Sequence, residues 1–162
     1  MIDIYDTEAL VKCYRMLSKK CSAIDKFIEN HSLYFTTNSL EYSSIDVVNN
    51  IIDLMTRKNQ LINLKVILDS AINSLDEKDK KVIYIKINYN ITMNEFCEFL
   101  SLKERTAFRR IDRAYYNLTE ALNNSKYIQK LINIIDKEMW INNVKDRVKD
   151  RRLSFRAKAV SI

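Results

Sequence analysis

The 162-residue chain contains no glycine and no proline, where ordinary usage would supply roughly 11 and roughly 8. Collagen-like repeats and Gly-rich or Pro-rich linkers are excluded, and so are the glycine phosphate loops of dinucleotide and nucleotide folds, whose backbone needs no Cβ beside the phosphate. Two-residue β-hairpins lean on Asn-Gly or Asp-Gly, so a compact antiparallel sheet would lack its turn chemistry. What remains is an all-α chain.

Other features are scarce. One histidine and three cysteines, at 13, 21 and 97, offer no metal-ligand spacing and no disulfide framework. The cysteines read as reduced thiols of a cytoplasmic protein, since Met1-Ile2-Asp3 does not open a signal peptide. No run of about 18 apolar residues predicts a membrane span. His31 has no nucleophile at a suggestive spacing, and the carboxylates fall where helix caps and surface charges fall. Neither a catalytic set nor a cofactor is expected.

What is there is apolar patterning and unevenly placed charge. Apolar residues make up 47% of the chain, and the net charge is +6. Residues 1–74 hold 8 basic and 9 acidic side chains, residues 75–122 hold 9 and 8, and residues 123–162 hold 10 and 4. The excess sits at the C-terminal end, in Lys145, Arg147, Lys149, Arg151, Arg152, Arg156 and Lys158. Such a run is either a solvated tail or an arm that releases counterions from a polyanion.

Three segments follow from periodicity. In residues 1–74, Asp6, Thr7 and Glu8 predict a capped start, and Leu10, Tyr14, Leu17, Cys21, Ile24 and Ile28 form a stripe at alternating steps of four and three. Residues 31–43 lose the period and read as a loop. Ser43 or Ser44 then caps a second helix with a stripe at Ile45, Val48, Ile52 and Met55, which resumes at Leu61, Leu64, Leu68, Ala71 and Leu75. The change of phase between Thr56 and Gln60 predicts a kink, a stutter or two helices. Together these elements make an antiparallel helical hairpin, a partner or dimer interface.

Residues 75–122 carry shorter helices. Asp76, Glu77 and Asp79 open one that carries Val82, Ile83, Ile85 and Ile87. Asn90 is the non-glycine residue best suited to a left-handed helix end. Thr92-Met93-Asn94-Glu95 has the form of a capping box, and Ser101-Leu102-Lys103-Glu104 repeats it. On the next helix Ala107, Ile111, Ala114, Leu118 and Ala121 share one narrow sector, while Arg105, Arg109 and Tyr116 project oppositely, with Asp112 and Arg113 on the flanks. Short helix, brief turn and longer helix with an arginine face is the plan of a helix-turn-helix. In residues 123–162, Tyr127, Ile128, Leu131, Ile132, Ile135, Met139 and Trp140 predict one helix from Lys126 to Asn143, followed by the basic arm.

The stretch LDEKDKKVIYIKINYNITMNEFCEFLSLKERTAFRRIDRAYYNLTEAL, about 30% of the chain, resembles region 4 of the sigma-70 family and the phage and prophage regulators of the ArpU and RinA type. Leu75, Val82, Ile83 and Ile85 take the places of that family's first helix. Ile91, Thr92 and Glu95 to Glu98 match its "LS..EIAE" support helix. Thr106, Arg110, Ile111, Arg113, Ala114 and Leu118 match its "TV..RL.RA...L" recognition helix without a gap, and Glu104 to Arg110 is similar to the wording "ERTFYRR". Asn90 and Ser101 stand where the family has glycine, and Cys97 where it has alanine. A Ser101 forced to positive φ would carry strain of order 1 kcal/mol; if instead it caps the next helix, it carries none.

The resemblance implies a double-stranded DNA-binding transcription regulator, an activator of phage or mobile-element type. Arg105, Thr106, Arg109, Arg110 and Arg113 would contact bases and phosphates, Thr92 and Lys103 the backbone, and Arg151 and Arg152 would act in the arm. It does not extend to a promoter-melting region: Tyr34, Phe35 and Tyr42 lie without basic neighbours. RNA polymerase and a second copy of the chain are further expected partners. The competing readings are a helical adaptor that binds RNA polymerase or another protein, and a divergent sigma-like factor.

Overall fold

The computed structural model describes residues 1–37, 44–89 and 91–160. Among them the order is α1 (Ile4–Thr37), α2 (Ser44–Asn73), α3 (Glu77–Asn88), α4 (Met93–Leu100), α5 (Glu104–Asn123), α6 (Ile128–Lys137) and α7 (Met139–Val160), with no strand. The all-α expectation holds. No described helix is long and apolar enough to cross a membrane.

The helix starts are local chemistry. Asp76 caps α3 by accepting the Asp79 N–H at 2.7 Å. Thr92 and Glu95 form the expected reciprocal box on α4, with the Thr92 N–H donating to Glu95 Oε2 at 2.6 Å and the Glu95 N–H to Thr92 Oγ1 at 3.3 Å. At the N-terminus the cap is displaced from the expected site. Asp3 Oδ1 accepts the Asp6 N–H at 2.8 Å, and Asp6 Oδ2 accepts the Asp3 N–H at 3.0 Å. Asp6, Thr7 and Glu8 therefore lie inside α1, where they are buried.

Ser101 takes the left-handed one of its two expected roles. It ends α4 rather than opening α5, in the left-handed conformation at φ 52°, ψ 46°. Its N–H donates to the Glu98 carbonyl at 3.1 Å and that of Leu102 to the Cys97 carbonyl at 2.9 Å, the paired pattern that closes a helix on a left-handed residue. Lys103 precedes α5 without a side-chain cap. α3 ends on Tyr89 in extended conformation; the left-handed role expected of Asn90 lies outside the described residues.

The hairpin differs from its sequence reading in two ways. Helix α1 runs through 31–37, where a loop was expected, because His31 to Thr37 contains no helix breaker; Tyr34 and Phe35 lie on it, whereas 38–43, with Tyr42 and Ser43, fall outside the described residues. Helix α2 is continuous across Thr56 to Gln60, so the change of phase is not a gap between two helices. Two stripes lie side by side on α2. Val47, Ile51, Leu54, Lys58 and Leu61 are the more covered row, with Lys58 Nζ 2.5 Å from Asp25 of α1. Ile45, Val48, Ile52 and Met55 are exposed, and this row continues through Asn59, Ile62 and Val66.

Residues from all three segments share one core. Leu10 and Leu17 of α1, Leu61, Leu64 and Leu68 of α2, Ile83 of α3, Phe96 of α4, Leu118 of α5, Leu131 of α6 and Ile141 of α7 form a single buried cluster. Asn123 closes it over the N-terminus, with Ile2 N–H donating to its Oδ1 and its Nδ2 donating to the Ile2 carbonyl, both at 3.0 Å. Cys13, Cys21 and Cys97 are free thiols, and burial pushes Cys13 up to about 12.

The helix expected over Lys126 to Asn143 is two helices, broken at Glu138. The break places the buried Glu138 carboxylate where Arg57 grips it with two bonds of 2.8 Å and the Trp140 indole donates at 2.6 Å. Met139, expected on the packed face, is exposed. The basic segment is helical from its start, and α7 packs along α1.

Candidate nucleic-acid interface

Helix α5 separates its two faces as its periodicity predicts. Ala107, Ile111, Ala114 and Leu118 are buried, joined by Tyr115 and Leu122. Ala121 is only partly covered. Arg105, Thr106, Arg109, Arg113 and Tyr116 are exposed and Arg110 is half-buried. Positions 105, 109 and 113 are successive steps of four, so their side chains form one row along the helix. Among the described residues, Arg105, Arg109 and Arg110 have no carboxylate partner within ion-pair distance.

Thr106, Arg109, Arg110 and Arg113 meet Asp76, Lys78 and Asp79 of the α3 start in an open cleft of about 380 Å³. Arg113 differs from its neighbours there. Its guanidinium lies 3.8 Å from Asp76 and 3.9 Å from Asp79, while its side chain stays 69% exposed. Asp79 is itself held by the Asn117 amide at 2.5 Å. Arg113 is thus oriented by two acids, which lower the positive potential at that end of the row.

The remaining expected contacts are dispersed. Lys103 is exposed at the entrance to α5 and Thr92 at the start of α4, its hydroxyl donating to Glu95 Oε2 at 2.9 Å; neither lines the cleft. Arg151 is exposed on α7. Arg152 points the other way, bound to Glu8 Oε2 at 2.7 Å and Asp112 Oδ1 at 3.1 Å, with its guanidinium 5.9 Å from the Tyr115 ring centre. Lys145 likewise binds Asp6 at 2.7 Å. Two of the cations read as an arm are structural partners of α1, and Arg152 joins α7 to the flank of α5.

Lys78 and the two acids are features that sequence reasoning missed as neighbours of the arginine row. Asp76 and Asp79 were legible as caps, but nothing local says that the start of α3 folds against α5. Among the described residues no cluster of His, Cys, Asp or Glu is placed to hold a metal ion.

No protein-family model, no curated protein and no solved structure matches the chain. The likeness to sigma region 4 stands on residues 75–122 alone.

Proposed function

We propose that the protein is a sequence-specific double-stranded DNA-binding transcription regulator, an activator of phage or mobile-element type, that uses α4 and α5 as a helix-turn-helix. The observation that carries this reading is the division of α5: a buried side of Ala107, Ile111, Ala114 and Leu118 seats the helix, and an exposed row of Arg105, Arg109 and Arg113 faces outward. Arg109 has no carboxylate partner among the described residues and is suited to paired bonds with guanine O6 and N7. Arg105, Arg110 and Lys103 contact phosphate, Thr106 the groove wall, and Thr92 the backbone beside α4. The capped α4 and the tight turn at Ser101 support the register between the two helices.

On α7, Arg151 with Arg147 and Lys149 adds attraction to phosphate that is independent of sequence. Arg152 acts indirectly, by holding α7 beside α5. Selection of bound duplexes from a random pool tests the reading and returns the site with its symmetry. Enrichment of a defined motif, lost with Arg109→Ala, is expected. Absence of duplex binding at low salt would overturn it and favour the adaptor that binds RNA polymerase or another protein.

A further inference from the structure

The exposed row on α2 has the form of an unpartnered coiled-coil seam. Ile45, Val48, Ile52, Met55, Asn59, Ile62 and Val66 follow steps of three and four without a break, the spacing of alternating heptad a and d positions. The six apolar members are between 42% and 71% exposed. They lie about 110° around the helix from the row that meets α1, so the body does not cover them. A regular seam of β-branched residues across three heptads is not the scatter of single apolar residues usual on a surface.

We propose that a second copy of this chain covers the seam, with the two α2 helices parallel and in register. Three observations select this occupant and orientation. First, Asn59 occupies an a position in an otherwise apolar row. In a parallel, in-register pair it meets its own counterpart and the two amides bond each other, whereas an antiparallel pair sets it against an apolar d residue. Second, the flanking charges agree. Asn49, Thr56, Asn63 and Ser70 at the e positions are uncharged, and at g Ser44 and Ile51 are uncharged while Lys58 and Lys65 are held by Asp25 and Ser18 of α1. Parallel pairing brings g beside e of the other helix and so sets no like charges opposite each other. Third, the area suits a reversible pair. Six residues between 42% and 71% exposed leave on the order of 500 Å² per copy, about 1,000 Å² over the pair, at the low end of specific interfaces.

This inference does not rest on DNA binding. The test is sedimentation equilibrium of the full chain up to about 100 µM, with Ile52→Lys, Asn59→Ile and Val48→Cys variants. A concentration-dependent monomer–dimer equilibrium is expected. Ile52→Lys abolishes it while the helical circular dichroism and unfolding midpoint stay unchanged, because the residue is exposed. Asn59→Ile tightens association by tenfold or more. Mild oxidation cross-links Val48→Cys to its own counterpart, which an antiparallel seam, holding the two copies of this end position more than about 20 Å apart, does not permit; the parent chain, oxidised alongside, accounts for the native cysteines. A monomer throughout the range, or a dimer indifferent to Ile52→Lys, overturns the proposal. A dimer lost with Ile52→Lys but without the Val48→Cys cross-link overturns the parallel register.

Discussion

Arg152 binds Glu8 at 2.7 Å across 144 residues of chain. The contact fastens the middle of α7 to the first turns of α1, and Lys145, about two turns earlier on α7, does the same with Asp6 at 2.7 Å. A basic segment that looks like a free arm is, on its inner side, the set of counter-ions for a buried acidic helix start. Its outward side keeps Arg147, Lys149 and Arg151 for a partner.

The two neighbouring arginines therefore separate stability from binding. Arg152→Ala leaves Glu8 with Lys12 alone and is expected to cost about 2 kcal/mol in urea unfolding, the scale for losing one of two charged hydrogen-bond partners of a largely buried carboxylate. Arg151→Ala changes stability by less than about 0.5 kcal/mol. In binding titrations it weakens affinity for all duplexes alike and lowers the salt slope by about 1. Equal effects of the two variants on unfolding would contradict this division.

Acid sensitivity follows from Glu8 and Glu138. Burial alone would raise both carboxyls, but bonds from Lys12 and Arg152 to Glu8, and from Arg57 and Trp140 to Glu138, draw them below the ordinary glutamate range. The unfolded chain, near 4.3 for each, then binds more protons than the folded one in mildly acid solution. Their contribution is complete above about pH 5 and drains away as pH falls through the lower folded values. Urea midpoints measured from pH 7 to pH 3 should fall on the acid side, and Arg57→Gln should flatten that fall while lowering the plateau at neutral pH.

Ser101 holds a left-handed position without a glycine. Ser101→Gly is expected to raise stability by about 0.5 kcal/mol, the relieved strain being partly offset by the entropy that glycine adds to the unfolded chain. Ser101→Val should lower it by more than 1 kcal/mol. A thermal midpoint that drops with glycine would show that the turn is not strained.

On α5 the expected gradient runs along the arginine row. Arg109→Ala should cost about 1–3 kcal/mol at the preferred duplex and relax discrimination at one position. Arg113→Ala should cost less, because Asp76 and Asp79 already engage that guanidinium. Competition binding against single-base variants of the selected site measures both.

The sequence by itself determined the helical class, the start of α3, the capping box of α4 and the buried side of α5. Each depends on interactions within four residues: no glycine or proline to break helices, side chains that cap their own backbone, and a period of 3.6 that gathers Ala107, Ile111, Ala114 and Leu118 on one side. Tertiary structure alone decided which of two apolar rows on α2 meets α1, and a single-row reading joins Met55 to Leu61 and crosses from one to the other. It also decided that Glu138 divides α6 from α7 around the Arg57 guanidinium, and that Arg152 faces Glu8 rather than solvent. Those outcomes depend on groups 81 and 144 residues away, and the spacing of side chains along one helix carries no information about which distant charge or surface will lie opposite.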